Sequence, residues 1–334
     1  MKKHNGFNTV KVIVSMFLML VLLASCGTNG AGGTEDGASD ESGQITIVTT
    51  IFPAYSWTRS VLGEERLQDD DVSLILLMDN GVDFHSYQPT ARDLATVKNC
   101  DMLVYVGGAS DQWIEDALRE DANPDMVVIR MMDSVGDRAV TEEEIEGMTV
   151  TEEEGEEEEY DEHVWLSLRN AELITGDIGV ALVEIDPDHA DTYNENAAAL
   201  IGEMQALDAE YEAALSQAKN KTLVFGDRFP FRYMLEDYGL SYYAAFVGCS
   251  AESEASFETI RFLASKVDEL GLRYVIAESA NGERISRTII ETTQDKDQEI
   301  LILDDMQSYR EGSGDETYLD RMRNNLEVLK KATS

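Results

Sequence analysis

The longest helical pattern in the chain is DPDHADTYNENAAALIGEMQALDAEYEAALSQAK, residues 186–219. Asp186 can cap this helix, with Pro187 at the first helical position, where proline costs no hydrogen bond. Apolar side chains then recur at spacings of three and four residues and so mark one helical face: Tyr193, Ala197, Leu200, Met204, Leu207, Tyr211, Ala214 and Ala218. At about 1.5 Å per residue, residues 190–219 predict a helix about 45 Å long. Such a helix resists wide bending, so we expect a rigid spine.

Strand and helix patterns alternate on both sides of this spine. Before it, the predicted strands are residues 45–51, 72–77, 102–106 and 126–129, with helices at 54–61, 91–97 and 113–118. After it, the predicted strands are residues 222–225, 241–246, 273–277 and 299–303, with helices at 232–237, 257–270, 284–292 and 317–331. This alternation is typical of βα units on parallel sheets. The sequence therefore predicts an α/β fold of two Rossmann-like lobes, residues 45–185 and 220–334, with parallel sheets joined by one long spine helix, residues 186–219.

Residues 1–26 predict a lipoprotein signal peptide. Three lysines form a basic leader, and residues 12–24 are an apolar run shorter than the roughly 20 residues that a transmembrane helix needs. The run ends in LASCG, residues 23–27, which resembles the lipobox of bacterial lipoproteins and makes Cys26 the predicted lipidation site. The alternative is an ordinary signal peptide with a chance cysteine.

The next segment, GTNGAGGTEDGASDESGQ, spans residues 27–44 and contains no bulky apolar side chain. Its small and acidic residues predict a flexible tether. A lipid anchor followed by a tether would hold the folded body at the outer face of the bacterial cytoplasmic membrane. A monomer is the default expectation.

The chain carries 66 acidic and 26 basic residues, a formal net charge of −40 at pH 7. Nucleic-acid binding needs clustered Lys and Arg, so this charge excludes it and favours cations as partners. Within a predicted acidic loop at residues 141–162, the run TEEEGEEEEYDE at 151–162 holds nine acids in twelve positions. Such a run repels itself and stays solvated.

Two histidines lie in loops that can bind ligands. His85 stands in GVDFHSYQPTARD, residues 81–93, after a predicted strand, and His163 stands in YDEHVWLSL, residues 160–168, before a helix. Ligand sites of α/β sheets lie beyond the carboxyl ends of strands, where both loops fall. His189, beside the start of the spine, is expected to be an exposed surface residue.

Carboxylates follow three predicted strands of the second lobe: Asp227, Glu278, and Asp304 with Asp305. Nitrogen and oxygen donors together suit Zn²⁺ or Mn²⁺ better than Cu(I), which prefers sulfur, or Ca²⁺, which prefers oxygen alone. The alternative is that these acids only cap the helices that follow.

Five segments carry a family resemblance: DFHSYQPTARD (83–93), DEHVWLSLRNA (161–171), VFGDRFPFRYMLEDYGL (224–240), YVIAES (274–279) and LILDDMQSYREGSGDETYLDRMRNNLEVL (301–329). Over about residues 45–332 the chain resembles the metal-binding lipoproteins of ABC importers for zinc and manganese, the ZnuA/TroA-like substrate-binding proteins of cluster A-I. The resemblance implies that His85 is the first metal ligand, His163 the second and Asp304 the last.

The third ligand position departs from the family pattern. The family has His or Glu three residues before an aromatic residue, in a pattern such as H-x-x-F-x-Y, and against Phe231 that position is Arg228. A guanidinium has no lone pair to offer a metal. We expect Asp227 to substitute, with the loop shifted by one residue. The alternatives are Cys249, Glu252 and Glu254.

The resemblance implies a binding protein, not an enzyme, that captures a divalent metal between two lobes and delivers it to an ABC permease. Zinc is the expected cargo. Manganese is the first alternative, since the acidic loop lacks the histidines that zinc-importer members often carry there. A metal-dependent surface adhesin is a further alternative, and a metallohydrolase is disfavoured because the chain has no HExxH or GxSxG motif. Cys100 and Cys249 are expected to be buried thiols, with a disulfide between them as the alternative.

Overall fold

The computed structural model describes residues 44–119, 121–149, 160–249, 254–278, 283–310, 312, 314 and 316–334. The predicted leader with Cys26, nearly all of the tether, residues 150–159 of the acidic loop and Glu252 lie outside the described residues. Within these ranges, none of the helices combines the length and the apolar character needed to cross a membrane.

Two four-stranded parallel sheets confirm the predicted two-lobe α/β fold. The strand orders are β2-β1-β3-β4 and β6-β5-β7-β8, so the two sheets repeat one topology. The first sheet contains β1 Ile45–Thr49, β2 Val72–Leu76, β3 Met102–Tyr105 and β4 Val127–Arg130. The second contains β5 Thr222–Phe225, β6 Ser241–Ala244, β7 Tyr274–Ala277 and β8 Glu299–Ile302.

Helices cover the sheets and connect their parallel strands. In the first half of the chain they are α1 Phe52–Arg66, α2 Ala91–Asn99, α3 Gln112–Leu118, α4 Met131–Val135 and α5 Leu168–Ile185. The second half contains α6 Ala190–Leu215, α7 Arg232–Asp237, α8 Phe257–Leu270, α9 Glu283–Thr292 and α10 Tyr318–Ala332. Helices α5 and α6 pack against each other, so the spine is a helix pair.

The spine helix begins later than the sequence pattern predicts. Asp186 ends α5 and provides no side-chain cap, and a 3-10 turn, Pro187–His189, precedes α6. The Asp186 carboxylate instead accepts hydrogen bonds from Arg66 Nε at 3.0 Å and from Tyr193 Oη at 2.5 Å. A buried arginine offers this carboxylate a stronger, charge-assisted partner than a backbone N–H does.

Helix α10 connects the second lobe to the first. Tyr318 donates its backbone N–H to Ser56 Oγ at 3.0 Å and its hydroxyl to the Trp165 carbonyl at 2.8 Å. The Trp165 indole in turn donates to the Asp305 carbonyl at 2.8 Å. These buried contacts fix the loop after β8 against the loop that carries His163.

Candidate metal centre

His85 and His163 are held by the same local motif, D-x-H. Asp83 Oδ1 accepts from the backbone N–H of His85 at 3.1 Å, and Asp161 Oδ1 accepts from that of His163 at 2.9 Å. An Asp side chain that bonds its own backbone two residues ahead fixes a turn locally. Each loop therefore presents its imidazole from a turn that its own sequence specifies.

The two imidazoles meet through their Nε2 atoms, which lie 3.1 Å apart. The Nδ1 atom of each ring faces an oxygen, Ser110 Oγ at 2.8 Å from His85 and Asp161 Oδ1 at 2.7 Å from His163. Since an ionised carboxylate only accepts, His163 Nδ1 is the donor of its pair. If His85 Nδ1 donates to Ser110 Oγ, two Nε2 lone pairs converge and a metal ion between them relieves their repulsion; if Ser110 Oγ donates instead, His85 Nε2 donates to His163 Nε2. Two nitrogens on tetrahedral zinc would lie about 3.3 Å apart, so the pair fits a metal.

Burial lowers the pKa of both rings; the charge of the neighbouring histidine adds to this effect at His85, whereas nearby carboxylates oppose it at His163. Burial, and next the charge of His163, lower the pKa of His85 to about 3. Burial alone would lower the pKa of His163 as well, but the Asp161 carboxylate outweighs it, with a smaller contribution from Glu162, so this pKa is raised. His163 is therefore the ring of the pair that takes up a proton first as the pH falls, and a proton on its Nε2 competes with zinc.

Cys249 approaches the histidine pair from the second lobe. One ligand atom from each of His85, His163 and Cys249 lies within 4.8 Å of the other two. The backbone N–H of Cys249 donates to Glu142 Oε1 at 3.0 Å, which fixes the loop. Both Cys100 and Cys249 are free thiols, as expected; Cys100 is buried, whereas Cys249 is only partly buried.

Gly248 allows the Cys249 loop to lie against His163. A Cβ at position 248 would meet His163 Cε1 at 2.8 Å. We expect Gly248→Ala to weaken zinc binding about tenfold, as the loss of an orienting contact at a metal site does, because either the ring or the loop must shift. Gly176→Ala is the matched control, since a Cβ there meets nothing within 4 Å. Zinc titration against a chromophoric chelator measures both; equal affinities would show that the loop does not lie against the ring.

Three carboxylates surround the site, at Glu142, Asp161 and Glu162. A ligand oxygen from each of Glu142 and Asp161 lies within 4.8 Å of a His163 nitrogen and of the other. Glu162 Oε1 accepts from the Ser110 N–H at 2.8 Å, while Oε2 is buried, has no hydrogen-bond partner among the described residues, and lies 3.7 Å from His85 Nδ1. Burial raises the pKa values of Glu142 and Glu162. A cation brought to the histidines would relieve the cost of burying these acids.

Arg228 pairs with acids from both lobes. Its Nε and Nη2 donate to Glu278 Oε1 at 2.9 and 2.6 Å, and Nη2 also donates to Asp83 Oδ2 at 2.8 Å. Burial raises the pKa of Glu278 to about 7 despite this guanidinium. Arg228 thus connects the turn that carries His85 to the end of β7.

The predicted carboxylate ligands lie in other surroundings. Asp227 Oδ1 accepts from the Arg228 N–H at 3.1 Å, and Asp304 Oδ2 pairs with Arg321 Nη1 at 3.0 Å. Within the described ranges, neither aspartate joins two other ligand residues within 4.8 Å. Glu254 is exposed and lies 3.6 Å from Arg284.

Gln307 is a site residue that the sequence reasoning missed. It follows β8, is 2% exposed, and its Oε1 is buried with no hydrogen-bond partner in the part of the chain that the structure describes. Its side chain adjoins His85, because a polar interaction with Gln307 raises the pKa of that imidazole while burial lowers it. An amide is an uncommon metal ligand, so only its place just beyond a strand end could have pointed to it. The repeated D-x-H pattern could likewise have pointed to Asp161.

Comparison with known proteins finds one family over most of the chain. The family model described as ZnuA, zinc-uptake complex component A, periplasmic, matches residues 47–332. This description is that of a transport component and not of an enzyme. The chain is 26% identical over 329 residues to the high-affinity zinc uptake system protein ZnuA of Bacillus subtilis, covering 98% of this chain and 97% of the relative.

A second similar protein is the zinc-binding lipoprotein AdcA of Streptococcus pneumoniae, 31% identical over 293 residues. The match covers 87% of this chain and 56% of the relative, so the chain spans little more than half of that protein. The crystal structure of the Zn(II)-bound ZnuA-like domain of the same AdcA superposes with a TM-score of 0.68 at 29% identity. It covers 87% of this chain and 99% of the domain.

Proposed function

Because the chain belongs to the ZnuA family of zinc-uptake components, we propose that it captures Zn²⁺ outside the cell and delivers it to an ABC permease. The convergence of the His85 and His163 Nε2 atoms, 3.1 Å apart, carries this proposal. Imidazole is a common zinc ligand, and each ring has its other nitrogen oriented by an oxygen, as at known zinc sites. In this proposal the protein is a monomer held at the membrane through lipidated Cys26.

Direct metal titration tests the proposal. The purified protein, stripped with a chelator, is titrated calorimetrically with Zn²⁺ and Mn²⁺. We expect one tight equivalent of zinc, weaker manganese binding, and a metal-free protein that stays folded by circular dichroism. Uptake of radioactive zinc by cells with and without the gene tests delivery. Absence of a tight site for zinc would overturn the proposal. Tight manganese binding with weaker zinc binding would make manganese the cargo instead.

Zinc affinity is expected to fall as the pH is lowered, and the fall is expected to steepen by up to about tenfold per pH unit once His163 takes up a proton, because that proton must leave before zinc binds. Since the pKa of His163 is raised, this steepening should begin above the ordinary histidine value of about 6.5. His85, with its pKa at about 3, should add no second step above that pH. Zinc titrations between about pH 5 and 8 measure the slope. A slope that steepens by two protons over this range would contradict the neutral state of His85.

A further inference from the structure

We propose that Cys249 supplies a thiolate as the third metal ligand, and that this sulfur makes the site select Zn²⁺ over Mn²⁺. The inference rests on the proposed function, because it assigns a ligand and a cargo preference to the same site. Arg228 stands where the family has its third metal ligand and cannot bind a metal; in this proposal Cys249 supplies that ligand from another loop.

The geometry favours Cys249 over the carboxylates. Its sulfur belongs to the group of ligand atoms within 4.8 Å that also contains His85 and His163. The carboxylate of Asp227 is held by the backbone beside it, and that of Asp304 is paired with Arg321. The backbone N–H of Cys249 is held by Glu142. The preceding residue, Gly248, lies against the His163 ring, with which a side chain at that position would collide.

Cys249 joins the second lobe to the histidine pair. His85 and His163 both precede the spine helices α5 and α6, whereas Cys249 follows β6 of the second sheet. A metal held by all three residues therefore ties the second lobe to the histidine pair. Gln307, just beyond β8, offers on the same side a buried amide oxygen that has no hydrogen-bond partner within the described ranges.

Coordination by sulfur exchanges one bond for another. The Cys249 S–H bond breaks, a metal–sulfur bond forms, and the proton leaves to water. A cavity of about 820 Å³ reaches both Cys249 and Glu162, and gives water and metal ions access to the thiol. With two neutral imidazoles and one thiolate, bound Zn²⁺ keeps one net positive charge, which faces the carboxylates of Glu142, Asp161 and Glu162.

Sulfur also decides which metal is preferred. Thiolate is a soft ligand that suits Zn²⁺, whereas Mn²⁺ prefers carboxylate, carbonyl and water oxygens. A site of two imidazoles and two carboxylates would be acceptable to either metal. Replacing one carboxylate by a thiolate favours zinc, so Cys249 is the residue that determines cargo in this chain.

Cobalt spectroscopy tests the ligand directly, because Co²⁺ bound to a thiolate gives a sulfur-to-metal charge-transfer absorption in the near ultraviolet. We expect this absorption in the wild-type protein and in Cys100→Ala, the matched change at the other thiol. It should vanish in Cys249→Ser, with circular dichroism confirming that each variant is folded. Cobalt binding without the absorption, or its persistence in Cys249→Ser, would overturn the thiolate and leave the proposed function standing. Failure of the wild-type protein to bind Co²⁺ or Zn²⁺ would overturn both.

Metal titration of the same variants tests the selectivity. Cys249→Ser should weaken Zn²⁺ binding at least about 100-fold, beyond the usual effect of losing an outer contact, and should change Mn²⁺ binding much less. Asp227→Asn and Asp304→Asn should leave the ratio of the two affinities unchanged. An equal loss for both metals in Cys249→Ser, or a larger change of the ratio in either aspartate variant, would contradict the inference.

Discussion

Replacing His85 by alanine is expected to remove tight zinc binding, with a loss of affinity of more than about 100-fold. Structural zinc sites with four protein ligands bind with about 10–16 kcal/mol, which is about 3 kcal/mol for each ligand. A loss of that size corresponds to slightly more than two factors of ten. His85 also holds its Nε2 only 3.1 Å from that of His163, so alanine removes one of the two converging nitrogens.

His189→Ala is the matched control for this change. His189 is also beside an aspartate, since its Nδ1 lies 3.0 Å from Asp186, but its side chain is 43% exposed and distant in sequence from both site loops. We expect this variant to bind zinc as the wild-type protein does. Calorimetric titration of both variants, with circular dichroism of the metal-free proteins, gives the comparison. Tight binding by folded His85→Ala would show that the metal lies elsewhere.

Replacing Arg228 by methionine is expected to destabilise the metal-free protein by about 3 kcal/mol at alkaline pH. The change leaves Glu278, whose side chain is 6% exposed, as a buried carboxylate without its cation. Asp83 is 28% exposed and remains solvated, so Glu278 accounts for most of the loss. Urea unfolding of the metal-free variant and wild type measures the difference in the free energy of unfolding.

The loss should depend on pH in a direction set by Glu278. Its pKa of about 7 lies above the unfolded value of about 4.3, so ionising it costs stability as the pH rises. Removing Arg228 raises this pKa further, and the variant therefore loses stability above pH 7 that the wild type keeps. The double variant Arg228→Met, Glu278→Gln should lose the pH dependence. Arg119→Met, at an exposed pair with Asp116, should change stability by less than about 1 kcal/mol. A loss in Arg228→Met that does not change with pH would contradict this account.

The alternation of strands and helices was enough to predict both sheets. Strand β5 and helices α7 and α8 have the predicted bounds. A short β-rich run specifies β5 locally, and the side-chain cap of Ser256 specifies the start of α8. Helix α5 was predicted only as a helix that follows the His163 loop, without bounds. Its apolar residues are spread around the helix because it packs against α1 and α6 together, and so it shows no single polar face.

The site was predictable where its geometry is local. The D-x-H turns at His85 and His163 are specified within three residues each, and the sequence pointed to both histidines. Cys249 could be named only as one alternative, since its approach to His163 depends on how the two lobes pack on the spine. Gln307 depends on the same packing and on the buried contact of Trp165 with the loop after β8.

The hydrogen bond from Tyr318 to Ser56 joins residues 262 positions apart. Tyr318 and Trp57 belong to one continuous core, and their rings lie edge to face with centroids 5.0 Å apart. On a ribosome, the first lobe therefore cannot complete its core until residues 317–334 have been synthesised. Contacts of such sequence separation slow folding, because the chain must close a long loop before it gains them. Late completion would suit the export that we propose, since the first lobe cannot finish folding before nearly all of the chain has been synthesised.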